Sequence, residues 1–151
     1  MSNYTIDEVL PHEAPMILIN ELVDYNSESA MCSVTIKTHS PFYNEHVGGV
    51  PSYIGVEYMA QAIAAHSGAL AKDTNKAVEI GFLIGTRKYK THQGVFYNNS
   101  VLTVCVEKLY HEESGLSVFE CQIHEKGKIV CEAKINVFQP SNPLQFIREN
   151  Q

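Results

Sequence analysis

The apolar pattern predicts an α+β domain in which a curved antiparallel sheet wraps around one long helix. Three observations carry that expectation. Residues 53–71, YIGVEYMAQAIAAHSGALA, are apolar on almost every face, the mark of a helix buried in a protein or a membrane. Two strand-like stretches precede it and four follow it. The chain has 151 residues, enough for one domain, 1–151, with a sizeable core.

Each element has a local reason. Thr5 can cap a short helix over 5–9, TIDEV, with Asp7 and Glu8 in its first turn and Pro11 ending the segment. Residues 16–24 read as a first strand and 30–37 as a second, with YNSES as the turn between them. Residues 38–52 are irregular and hold Pro41, Gly48, Gly49 and Pro51. Ser52 offers a side chain to cap the long helix. Glu57, Gln61, His66 and Ser67 interrupt its apolar surface, which favours burial in a soluble domain over a membrane span. After KDTNK come strand candidates at 79–89, 100–109, 116–125 and 129–138, the last two joined at Gly127. The tail QPSNPLQFIREN is polar and broken by proline, as a surface segment would be. A sheet of this kind leaves edges open, so pairing with another copy is expected.

Composition sets limits on function. With 11 basic and 17 acidic side chains the formal charge is −6, which disfavours nonspecific binding to nucleic acid or anionic membrane. The N-terminus lacks the basic start and apolar run of a signal peptide. No apolar stretch approaches the length of a membrane span, and a cytoplasmic location is expected. Cys32, Cys105, Cys121 and Cys131 form no CxxC pair, so no metal site is expected. They fall in strand-like patterns and read as small buried hydrophobes.

One stretch could carry chemistry. Glu57 and Gln61 are four apart and share a helix face. Ser52 and Tyr53 stand at the helix start, where backbone N–H groups lack intrahelical partners and can hold negative charge. His46 precedes them in a turn with Gly48 and Gly49, where a ligand can approach the backbone closely. Together these supply a base, an acid and an oxyanion site, enough for proton transfer beside a carbonyl. Plainer readings stand beside that one. His46 is also a reasonable solvated loop histidine, Glu57 a first-turn acid favoured by the helix dipole, Gln61 a hydrogen-bonded core residue, and the glycines turn formers.

These residues sit in recognisable company. LPHEAPMILINELVDY, EYMAQAIAAHSG and, more weakly, GTRKYK resemble the hotdog-fold β-hydroxyacyl-acyl-carrier-protein dehydratases of bacterial fatty-acid synthesis. The resemblance is strongest to their relatives in aryl-polyene and similar lipid pathways. It runs clearly over residues 7–110 and by pattern alone beyond. It implies that His46 matches the catalytic histidine, Glu57 the helix acid and Gln61 its companion. The amides of Ser52 and Tyr53, with Gly49 nearby, would bind the substrate carbonyl. His12 belongs to the opening motif and is expected to be structural. Two departures stand out. Glu57 follows His46 by eleven positions, three fewer than usual in the family. The family's proline in the loop and glycine at position 52 are also missing.

The reaction so implied is dehydration of a 3-hydroxyacyl thioester to the trans-2-enoyl thioester. His46 would take the α proton and Glu57, from the other subunit, would assist departure of the 3-hydroxyl as water. To act as an acid Glu57 must hold a proton, and apolar surroundings favour the neutral form. No cofactor is expected; the phosphopantetheine arm of an acyl carrier protein, or coenzyme A, would be part of the substrate. A hotdog thioesterase is the rival activity. A partner subunit of a heteromeric dehydratase is the alternative to a homodimer or larger even oligomer. The cluster Arg87, Lys88 and Lys90 is the candidate carrier-docking surface. Strict alternation would put Lys88 and Lys90 on one face and Arg87 with Tyr89 on the other.

Overall fold

The computed structural model describes residues 4–11, 16–76 and 82–138. A short helix, α1 (Ile6–Val9), opens it; the carboxylate of Glu8 accepts the Thr5 amide at 2.9 Å. Then come β1 (Glu21–Tyr25), β2 (Ser29–Thr35), β3 (Gly49–Pro51), a 3-10 turn (Ser52–Ile54) and the central helix α2 (Gly55–Asp73). β4 (Phe82–Thr91), β5 (Val95–Tyr97), β6 (Val101–His111), β7 (Leu116–Glu125) and β8 (Lys128–Phe138) complete the order. Six strands form one antiparallel sheet in the order β1-β2-β6-β7-β8-β4, and β3 pairs with β5 in a small second sheet.

The helix packs on this sheet through β2, β6 and β7. Tyr58, Met59, Ala62, Ile63, Ala65 and Ala69 are buried on it, against Val34, Val104, Val106, Cys121 and Ile123 in the same core. Within the helix only Glu57, Lys72 and Asp73 are exposed. The sheet cannot cover the whole cylinder, and the N-terminal segments cover more of it. Gly68 is where α1 crosses: an added Cβ would lie 1.8 Å from the Val9 carbonyl oxygen. Buried Gln61 holds residues 16–18, accepting from the Leu18 N–H at 2.7 Å and donating to the Met16 carbonyl at 2.5 Å. At the far end of the helix Asp73 accepts from the hydroxyls of Tyr4 and Tyr25.

The expected architecture is present, with corrections to its parts. Residues 16–20 precede β1 rather than belonging to it, because their backbone is partly spent on Gln61. β3 and β5 were not anticipated; strands of three residues carry no readable period. The strand expected from 79 is described from Phe82, and the expected tail segment lies outside the described residues, as does His12. All four cysteines are free; Cys32, Cys121 and Cys131 are buried and Cys105 half-buried.

Candidate active site

The His46 loop is built on Asn44. Its side-chain oxygen accepts the His46 N–H at 2.8 Å, and its carbonyl accepts from Val47, Gly48 and Gly49 at 3.0 to 3.3 Å. Its own N–H donates to the Gly49 carbonyl at 2.8 Å. Gly48 has φ +72, the left-handed region that suits glycine. Gly49 is needed for space, since a Cβ there would lie 2.1 Å from the Phe96 carbonyl oxygen. Both the amide and the carbonyl of Gly49 close the loop. The loop's hydrogen bonds are all backbone or Asn44 bonds, which leaves the His46 side chain exposed and without a hydrogen bond among the described residues.

The helix start also differs from expectation. Ser52 does not cap α2. It lies inside the 3-10 turn, 5% exposed, with Pro51 before it. Its N–H donates to the Gly94 carbonyl at 3.0 Å, so the expected use of this amide on a substrate oxygen is corrected; it is already paired. The Ser52 carbonyl accepts from the Gly55 N–H and from the Tyr89 hydroxyl. Tyr53 is next, its side chain 70% exposed, and as a first-turn residue its N–H has no acceptor within the turn. Glu57 is exposed and makes no hydrogen bond or ion pair among the described residues. The chain's own apolar residues do not enclose it, because they occupy the opposite faces of α2.

Gln61, one turn on, faces inward to residues 16–18, so it supports the helix rather than touching Glu57's solvent side. The basic strand carries a bulge, and Lys88 and Lys90 lie on the face opposite Tyr89 as expected. Lys88 has φ +54, and the pairing shifts between Arg87↔Lys134 and Lys90↔Glu132. The extra residue leaves Lys88 and Lys90 exposed while Tyr89 turns in toward the helix start. Arg87 pairs in register with Lys134 on β8. Sequence reasoning missed Tyr89 as a site-forming residue. Its signal was an aromatic between basic residues, but only the bulge decides which way it faces.

Elsewhere the titratable groups are structural. His66 is 1% exposed, its Nε2 2.9 Å from the Asn26 carbonyl. A carbonyl only accepts, so Nε2 carries the proton; burial holds this imidazole's pKa below the usual range. Among the described residues no group of histidine, cysteine and carboxylate side chains could hold a metal ion. No helix among them is long and apolar enough to cross a membrane. Three clefts open between other elements, and neither His46 nor Glu57 lines any of these three.

The fold is that of the hotdog proteins, and the comparisons place the chain among their dehydratases. The family model of the ApeP-like dehydratases matches residues 4–148; the chain belongs to that family. A chain of the dehydratase heterocomplex ApeI:P from Xenorhabdus doucetiae is 30% identical, with 99% of each chain covered and a TM-score of 0.91. The 3-hydroxyacyl-[acyl-carrier-protein] dehydratase FabZ of Streptococcus sanguinis is 26% identical over 127 residues, which is 83% of this chain and 88% of that protein. A hypothetical thioesterase of Streptococcus pneumoniae solved with coenzyme A shares the fold, with a TM-score of 0.63 over 79% of this chain and 84% of that one. Its 14% identity carries no more than the fold.

Proposed function

We propose that this dehydratase acts on a 3-hydroxyacyl thioester, carried on an acyl carrier protein, and forms the trans-2-enoyl thioester. The family match over residues 4–148 carries this reading, because it spans both the His46 loop and the Glu57 helix. His46 takes the α proton; the C–H electron pair becomes the new double bond, and the 3-hydroxyl leaves with the Glu57 proton as water. Charge builds on the thioester oxygen as the proton leaves, and the Tyr53 amide is the donor at the helix start that remains for it. Turnover of carrier-linked 3-hydroxyacyl substrates, reading enoyl product and free acid together, tests the assignment. Enoyl product supports it; acid and free thiol mean a thioesterase. His46→Ala is expected to lower kcat by about 10²–10⁴-fold, and Glu57→Gln by at least about 10²-fold, with the fold retained.

The site is completed by a second subunit, which we place as a related dehydratase chain. The structurally similar heterocomplex supports this. So do exposed Val47, Tyr53 and Tyr97 on the loop, the turn and the short sheet, apolar surface of the kind a partner covers. Co-purification from native cells separates this from a homodimer: full turnover by the chain alone as a strict homodimer ends the heteromer reading. Lys88 and Lys90, with Arg87, are the proposed contact for the acidic carrier, and the work is placed in the cytoplasm.

A further inference from the structure

The peptide group joining Ser52 to Tyr53 is held at its carbonyl end by a residue from a distant strand. The Tyr89 hydroxyl donates to the Ser52 oxygen at 2.5 Å, across 37 residues of sequence. Three features fix that hydroxyl in place. The bulge at Lys88 turns Tyr89 inward, setting Lys88 and Tyr89 together opposite the single residue Ala133 between the Arg87↔Lys134 and Lys90↔Glu132 pairs. Gly55 leaves room for it: a Cβ there would lie 2.3 Å from the phenol oxygen. The Cys131 sulfur lies 3.3 Å away on another side.

A peptide group is planar and trans, so its carbonyl and the following N–H point in opposite directions. The Ser52 carbonyl and the Tyr53 N–H are the two ends of one such group. Pinning the first directs the second. A donor on the carbonyl also draws charge through the amide and strengthens the N–H as a donor. The neighbouring amide, that of Ser52, is already paired with Gly94, while the Tyr53 N–H has no acceptor within the turn.

We propose that Tyr89 is a positioning residue for the dehydration centre, acting through the Ser52–Tyr53 peptide to aim and strengthen the Tyr53 N–H toward the thioester oxygen. This role rests on the dehydration proposed above. Glu57 stands one helical turn after Tyr53, so the same tether fixes the tilt of the segment that carries the acid. Burial, and then the contact with Cys131, raise the Tyr89 pKa well above the ordinary phenol range, so the hydroxyl stays a donor at any working pH.

Tyr89→Phe keeps the ring and removes the oxygen. In the full chain, with whatever subunit co-purifies, kcat for enoyl formation is expected to fall roughly tenfold, less than the about 10²–10³ for loss of a whole oxyanion donor. KM should stay within about twofold, since the donor matters most once charge develops. Gly55→Ala displaces the phenol and should cause a similar loss, and the double variant should lose no more than the worse single one. The decisive reading is the infrared carbonyl stretch of a bound, carbon-13-labelled saturated acyl thioester. The parent should lower that frequency, and Tyr89→Phe should return it toward its value in solution. An unchanged frequency overturns the proposal, and so does a loss of kcat that only follows a loss of Tm. If the parent forms no enoyl product but its carbonyl shift still depends on Tyr89, the dehydration reading fails while the action on the peptide stands.

Discussion

Single residues in this chain act through the backbone groups they hold. Gln61 spends its side-chain amide on residues 16 and 18. Gln61→Met would leave a part-buried N–H and a carbonyl without their protein partner, and a loss of about 1–3 kcal/mol in urea unfolding is expected. His66 makes a second case. Its native pKa is lowered, with desolvation as the largest cause. Lys108 lowers it further, while the Asn26 carbonyl and Glu28 oppose. The unfolded chain therefore takes up this proton near pH 6.5 while the native state resists it. Stability from this group is complete above about 6.5 and is lost as pH falls toward the native pKa. The unfolding midpoint should drop from pH 7.5 to 5.5, and the drop should be shallower in His66→Gln. Parallel slopes would remove His66 from the acid response.

At the scale of elements, close approach sets what each segment tolerates. Glycine to alanine inside an exposed helix normally stabilises by about 1 kcal/mol. Gly68→Ala should do the reverse, because its methyl meets the Val9 backbone at 1.8 Å and α1 must move away. A loss of about 1–3 kcal/mol is expected in thermal or urea unfolding; a rise in Tm would mean that α1 docks loosely. The β4 bulge is the other case. One extra residue changes which side chains face the helix, and it puts two lysines on the outer surface of an edge strand, where charge also discourages unwanted pairing.

For the whole molecule the proposed function raises the question of how an acidic chain would meet an acidic carrier. A formal charge of −6 gives no help at long range. A local basic row does: Lys88, Lys90 and Lys134 are exposed on β4 and β8, partly offset by Glu132 beside His92 at 3.3 Å. In Lys88→Glu, Lys90→Glu the kcat/KM for a carrier-linked substrate should fall roughly tenfold at low salt, and by less as salt rises. A short thioester mimic should be processed as by the parent. Equal loss on both substrates would point to damage at the neighbouring Tyr89 tether instead of docking.

By itself the sequence determined the layered architecture, the central helix and the family. Period-two strands and a helix apolar nearly all round admit few other arrangements, and short motifs such as EYMAQ survive in one dimension. It also marked His46 and Glu57, since a histidine in a glycine turn and an acid in an apolar helix stand out from their neighbours. What tertiary structure alone decided was the pairing of backbone groups. That the Ser52 amide goes to Gly94, that Gly49 closes on Asn44, and that Tyr89 reaches Ser52 all depend on contacts between segments distant in sequence or on the closure of a single loop. No side-chain pattern records them, because every residue carries the same N–H and C=O. Only the folded chain says where those groups point.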